Sequence, residues 1–380
     1  MAVVAAPDVE RQQNIGHGAY ALLVFALPLL GSALLEAASM LVAERFARAR
    51  VAGAALLGLG AALAGCALAE RSTALALGLT LAGTASGVAC SVAQVELVAA
   101  VPGRPDRAMM RWVLFGELGD ALTPLLTALM LRCGGSYRSV FLVAGGLAIA
   151  HALLLFRAAR SPGPGAGEPR AGSGVSGGEA PEPEPVPLLD GLREGMGNRQ
   201  LWLWLLAAAM CTFLDELVIA LAALHAKRDL GASSAASVAC VAGAALGAAL
   251  GAALSDRLLV SVPAGRVLVG SALGTLVALA AVVLAPSVLG LGAALTLLGA
   301  AATPQYALLQ ARAYAAAPGR PGVVNVLAQS FVVVDIAGPL ALGALADRAG
   351  LPAALAALAV QPLGVLAVLA CSRSARQPRS

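Results

Sequence analysis

Charge is scarce in this sequence. Asp, Glu, Lys and Arg make up 12% of 380 residues and 59% are hydrophobic, whereas roughly one-quarter of an ordinary soluble chain is charged. The mean hydropathy is +0.84. This balance excludes a soluble enzyme on a single apolar anchor. Apolar stretches recur from Tyr20 to Ala370, and at about 20 residues each they are long enough to cross about 30 Å of hydrocarbon. The alternating ten-residue pattern of an outer-membrane barrel is missing, and the stretches are rich in Ala, Leu and Gly, so they read as helices. Lysine is nearly absent: Lys227 is the only one among 25 basic residues. The formal charge of +4 therefore reflects an arginine-biased composition and not a nucleic-acid footprint. Cys66, Cys90, Cys133, Cys211, Cys240 and Cys371 lack CxxC spacing, which argues against a disulfide framework or a zinc site. They read as small buried apolar residues. There is no nucleotide-binding loop, no helical HExxH and no positioned Ser/His/Asp set, so neither an ATP-driven motor nor an enzyme is expected, and no cofactor or metal.

Eleven hydrophobic segments are present: Tyr20 to Val42, Val51 to Ala69, Thr73 to Ala100, Met109 to Leu131, Val140 to Phe156, Leu201 to Leu224, Ala232 to Leu254, Val267 to Leu284, Val288 to Leu309, Val323 to Ala346 and Pro352 to Ala370. The preceding tail holds Asp8, Glu10, Arg11 and His17, with no basic start or apolar core of a signal peptide. Arg157 to Gln200 is rich in Gly, Pro, Ser and Glu, as in Glu182-Pro-Glu-Pro185, and reads as a flexible linker. The expected organisation is a tail over 1–19, a five-span bundle over 20–158, a disordered cytoplasmic linker over 159–199, a six-span bundle over 200–372 and a cytoplasmic tail over 373–380.

Alternate connections sort the arginines. One set holds Arg45, Arg48, Arg50, Arg104, Arg107, Arg111, Arg257, Arg266, Arg312, Arg320, Arg373, Arg376 and Arg379; the other holds only Arg71, Arg132, Arg138, Lys227, Arg228 and Arg348. The positive-inside rule places the first set in the cytoplasm, and Trp112, Trp202 and Trp204 fall at the same ends of their spans. The amino terminus is then outside and the carboxyl terminus inside.

The halves repeat. Pro102-Gly-Arg-Pro105 recurs as Pro318-Gly-Arg-Pro321, and Arg50-Val51 as Arg266-Val267. Asp120, four residues before Pro124, matches Asp335, four before Pro339, and Ala43-Glu-Arg45 matches Ser255-Asp-Arg257. These are parallel structural repeats. The sixth span has no partner in the first half, so a first helix is missing. Either the start lies upstream, or the helix is absent from this chain, or eleven spans suffice.

In this layout the chain resembles the major facilitator superfamily, whose members have two six-helix halves joined by a cytoplasmic loop. That family's loop signature reads approximately G-x-L-A-D-R-x-G-R. Met40 to Arg48 keeps the acid at Glu44 and the arginines at Arg45 and Arg48, with Met40 and Ala47 at the glycine positions; the second copy keeps Asp256 and Arg257. The resemblance implies an all-α, polytopic, two-bundle fold of twelve helices and a cytoplasmic gate at these charges. It also implies a central cavity lined by Thr73 to Ala100, Leu201 to Leu224 and Val288 to Leu309. Thr84, Gln94, Thr212, Gln305 and Tyr306 are polar points on those spans.

Ionisable groups at membrane depth are costly and mark functional positions. Asp120 and Asp335 sit at equivalent kinks, where proline frees the backbone carbonyl four residues earlier. They read as proton or cation carriers, or as packing carboxyls hydrogen-bonded between helices. Asp215-Glu216 lies mid-span on the unpaired sixth segment, and Glu117 shares the face of Asp120. Glu36 and Glu96 lie nearer the cytoplasmic ends, where snorkelling or a loop arginine accounts for them. Arg312 is the repeat counterpart of Glu96, so the two form a potential inside latch. His151 reads as a structural hydrogen-bonding residue and His225 as a solvated one. Gly243, Gly247 and Gly251 permit close helix approach.

The function these readings converge on is secondary active transport of a small organic solute across a bacterial-type inner membrane, coupled to a proton or another ion, with export favoured and a monomer as the working unit. A sensor or assembly protein that retains the transporter fold is the alternative. The partners are then the solute, the coupling ion and the lipid bilayer, with no nucleic acid.

Overall fold

The computed structural model describes residues 27–101, 103–159 and 188–374. The tails at 1–19 and 375–380 and most of the linker lie outside the described residues, as does the start of the expected span from Tyr20. The described residues contain helices and turns and no strand. Through the first half run α1 (Leu27–Arg45), α2 (Arg48–Leu68), α3 (Ser72–Ala100), α4 (Pro105–Arg132) and α5 (Tyr137–Ala158). A short α6 (Leu188–Gly197) precedes α7 (Arg199–Ala209), a π turn (Phe213–Leu217) and α8 (Val218–Arg228). There follow α9 (Ser234–Leu258), α10 (Ala264–Val283), α11 (Val288–Ala316), α12 (Pro321–Ala328), a 3-10 turn (Gln329–Phe331), α13 (Val332–Ala349), α14 (Leu351–Ala357) and α15 (Val360–Ser374).

Side chains set many of these boundaries. The Asn198 side chain accepts from the backbone N–H groups of Gln200 and Leu201, both at 3.1 Å, and starts α7. Ser233 and Ser287 cap α9 and α11 in the same way at 3.2 Å. The repeated Pro-Gly-Arg-Pro motif is one turn used twice. Gly103 and Gly319 adopt φ of 77° and 75°, a region that side chains disfavour, and Pro105 and Pro321 open α4 and α12, where proline's missing N–H costs nothing.

Nine described segments are long and apolar enough to cross a membrane. The expected spans over α1 and α4 are not among these nine: the first begins outside the described residues, with Leu30–Ala43 its described apolar part, and α4, at 28 residues, carries Asp106, Arg107, Arg111, Glu117, Asp120 and Arg132. One difference concerns the linker. Flexible chain was expected throughout 159–199, yet Leu188–Gly197 is helical. Leu188, Leu192 and Met196 recur at helical spacing, a short signal that the surrounding Pro and Gly dilute.

By packing, the chain divides into two compact units. The smaller holds the described residues within 5–93 and 134–195; within it α2 lies along α5 and α1 meets α2. The larger holds the described residues within 94–133 and 196–380. Its core is aliphatic, with Leu279, Val282, Leu291, Leu295, Leu298, Leu355 and Leu358 buried together. Here α4 packs on α9 and α11, and α9 lies closest to α11. A Cβ added at Gly247, Gly251 or Gly299 would come 2.0–2.3 Å from the carbonyl oxygen of Thr296, Ala300 or Ala244 respectively. The small-residue stripe thus brings two backbones into contact.

Candidate functional site

Within the larger unit, acidic groups gather from three elements. Glu117 and Asp120 stand one turn apart on α4, and Asp215 lies within electrostatic range of both. Asp215 sits in the π turn Phe213–Leu217, a wide turn of the kind that recurs at functional sites. Asp335, in the first turn of α13, accepts a 2.8 Å hydrogen bond from the Thr212 hydroxyl, and Thr212 immediately precedes the π turn. The approach is tight on the same helix: a Cβ at Gly338 would lie 2.2 Å from the Phe213 ring. The side chain of Glu216 lies outside the described residues. Electrostatics therefore couples Glu117, Asp120 and Asp215, and a hydrogen bond ties Asp335 to Thr212 at the edge of the π turn.

A string of amides lies next to this cluster. Gln305 donates to the Thr275 hydroxyl at 2.7 Å and accepts from Gln361 at 2.9 Å, and Gln361 also donates to Cys211 Sγ at 3.2 Å. Gln305 and Thr275 are fully buried and Gln361 nearly so. Gln305, expected as a polar point on a cavity, is thus enclosed among helices, whereas Tyr306 and Gln94 are half-buried. Sequence reasoning passed over Gln361, although a lone amide in the apolar span Pro352 to Ala370 was a readable signal.

In the smaller unit, Thr84 is buried. Glu36, expected to snorkel or meet a loop arginine, is instead buried between α1 and α3; it accepts from Ser32 and, at 2.5 Å, from Ser91. The hydroxyls replace the water that a carboxylate this far into the chain's packing gives up. His151 is exposed on α5. His225, expected to be solvated, is buried with Nδ1 2.6 Å from Asp229 Oδ2, because the chain turns back over the end of α8.

The expected gate acid at Asp256 has partners the sequence did not identify. Arg107 and Arg111 of α4 bring their Nε atoms to 3.6 and 3.9 Å from Asp256 Oδ1. Arg104 adds a 2.9 Å hydrogen bond to the Leu259 carbonyl. The start of α4 is thereby clamped to the end of α9. Arg257 makes no side-chain hydrogen bond or ion pair among the described residues. The side chains of Glu44 and Arg45 lie outside the described residues, Arg48 is half-buried and Glu96 is exposed. Arg312 holds its guanidinium 5.8 Å from the centre of the Trp204 ring.

The Major Facilitator Superfamily profile matches residues 1–334. The chain belongs to the major facilitator superfamily. This superfamily member has the transporter fold. It is similar to a crystal structure of the E. coli fucose:proton symporter FucP, with a TM-score of 0.74 at 13% identity over 99% of this chain and 94% of that one. The human organic anion transporter MFSD10 (TETRAN) gives a TM-score of 0.69 at 17% identity, covering 97% of this chain and 89% of that one. The proton:xylose symporter XylE, bound to 6-bromo-6-deoxy-D-glucose, gives 0.70 at 14% identity, covering 98% and 91%. No curated protein matches the sequence significantly. Membership and fold make this a membrane transporter and not an enzyme.

Proposed function

We propose that this superfamily member is a proton-coupled secondary transporter that moves a small organic solute by alternating access, outward, across a bacterial-type inner membrane, and that it works as a monomer whose bundles over 20–158 and 200–372 are the moving bodies. The observation that carries this reading is the electrostatic coupling of Asp215 to Glu117 and Asp120, on segments expected to lie within the membrane, with Asp335 held by Thr212 next to the π turn. Ionised carboxylates that share a low-dielectric space repel one another, and a proton or cation relieves that repulsion in one facing state and leaves in the other. Two structural relatives, a fucose:proton and a proton:xylose symporter, support proton as the coupling ion. Few charges at depth fit a neutral, amphipathic or weakly ionic solute; a phosphorylated or dicarboxylic one would call for paired arginines. The Arg107–Asp256–Arg111 clamp supplies a charge lock that one state closes and the other opens. The test is a solute screen in proteoliposomes with and without an imposed pH gradient. Gradient-dependent flux that is lost in Asp120→Asn at equal protein level is the expected result, and flux of every transported solute indifferent to pH overturns the coupling.

A further inference from the structure

A groove of about 330 Å³ lies at the arginine-rich end of the larger unit, among α9, α10 and α11. It is separate from the carboxyl cluster and from the amide string. One stripe of α10 forms a wall: Arg266 and Gly270, with Val267 and Ser271, repeat at four-residue spacing. Opposite stand Leu258 of α9 and Ala300, Ala301 and Pro304 of α11. Gly270, Ser271, Ala300 and Ala301 leave the space open between the larger lining residues. A Cβ added at Gly270 would meet no atom within 4 Å.

Charge and depth name the occupant. Arg266 is in the first turn of α10, a membrane span from Ala264 to Val283, so the groove runs from the span's end into its apolar length. Arg266 is exposed and, among the described residues, makes no side-chain hydrogen bond or ion pair; the same holds for Arg257 in the last turn of α9. A cation at the headgroup level above an apolar trough complements a molecule with an anion above a hydrocarbon chain. We infer that the α9–α10–α11 groove binds an anionic phospholipid, its headgroup phosphate on Arg266 and an acyl chain along Gly270 and Ala301. Ser255 lines the same groove and precedes Asp256, so the bound lipid lies next to the clamp that joins α9 to α4.

The test is made on the purified full chain, independently of any transported solute, so it stands apart from the transport reading. Retention of dioleoyl-phosphatidylglycerol and of dioleoyl-phosphatidylcholine from mixed detergent micelles is measured by lipid extraction after washing. Phosphatidylglycerol is expected to be retained selectively. Arg266→Gln is expected to lower its retention about fivefold, the scale of one interfacial arginine. Gly270→Leu, which keeps every arginine but fills the groove, is expected to lower it at least as much, and Arg348→Gln at the other end of the molecule is expected to have no effect. Unchanged retention in either Arg266→Gln or Gly270→Leu overturns the inference. So does displacement of the lipid by inorganic phosphate alone, which would make this a soluble-anion site.

Discussion

Gln305 and Gln361 share one hydrogen bond but differ in what else they do. Gln305 also donates to Thr275, whereas the second partner of Gln361 is the weak acceptor Cys211, and its own carbonyl oxygen is buried without a partner. Truncating Gln305 leaves both Thr275 and Gln361 short of a partner; truncating Gln361 also removes a group that was already unsatisfied. Gln305→Leu should therefore destabilise the chain by about 1–3 kcal/mol and Gln361→Leu by less, read as thermal unfolding in detergent. The reverse order would count against the bonding described. At the carboxyl cluster, Asp120→Asn, or failing that Asp215→Asn with Glu216→Gln, should abolish accumulation driven by a pH gradient and leave exchange measurable. Wild-type accumulation in all of these variants would move coupling to other residues. These acids were legible in the sequence because a carboxyl within an apolar run stands out by itself. The environment of Glu36 was not, since its serine partner Ser91 lies on another helix.

Helices α4 and α9 meet through Arg107, Arg111 and Asp256, and the two arginines are not equivalent. The Arg107 side chain is 30% exposed and that of Arg111 50%. Exposed ion pairs contribute little, whereas removing one partner of an enclosed pair leaves a charge stranded. Arg107→Glu should therefore impair transport more than Arg111→Glu, and adding Asp256→Arg to Arg107→Glu should restore part of the loss, read as initial flux in proteoliposomes. A double mutant no better than the worse single mutant would argue against direct coupling. The same cycle on Glu96→Arg with Arg312→Glu tests the latch suggested by their shared repeat position. The helix α4 was legible from its apolar middle, which only Glu117 and Asp120 interrupt. Its partner α9 is remote in sequence, and pairing Arg107 with Asp256 requires knowing which helices pack. The π turn at Phe213–Leu217 was equally hidden, because no residue type marks the inserted width, although Asp215-Glu216 flagged the place.

For the whole molecule, the arginine distribution and the positions of Trp112, Trp202 and Trp204 predict that the linker faces the cytoplasm and residues 1–19 face outward. A cysteine at Ser173, introduced after the exposed Cys90, Cys133 and Cys371 are replaced by serine, should stay unlabelled by an impermeant maleimide in intact cells and react once the cells are opened. Labelling in intact cells would invert the assignment. The helical class and the approximate span count were readable from composition and from the run of apolar segments, and the twice-used Pro-Gly-Arg-Pro turn from its motif. The packing division was not, because α4 belongs by sequence to the first half and by contacts to the unit that holds the second. Where α9 touches α11, Gly247, Gly251 and Gly299 leave no layer of side chains between the backbones, so the pair has nothing soft to slide on. It should act mechanically as a single strut. Bending during a cycle would then fall on neighbours with interrupted helices, at the π turn before α8 and the 3-10 turn before α13, and a lone methyl at Gly247 would act as a wedge that prises the strut apart.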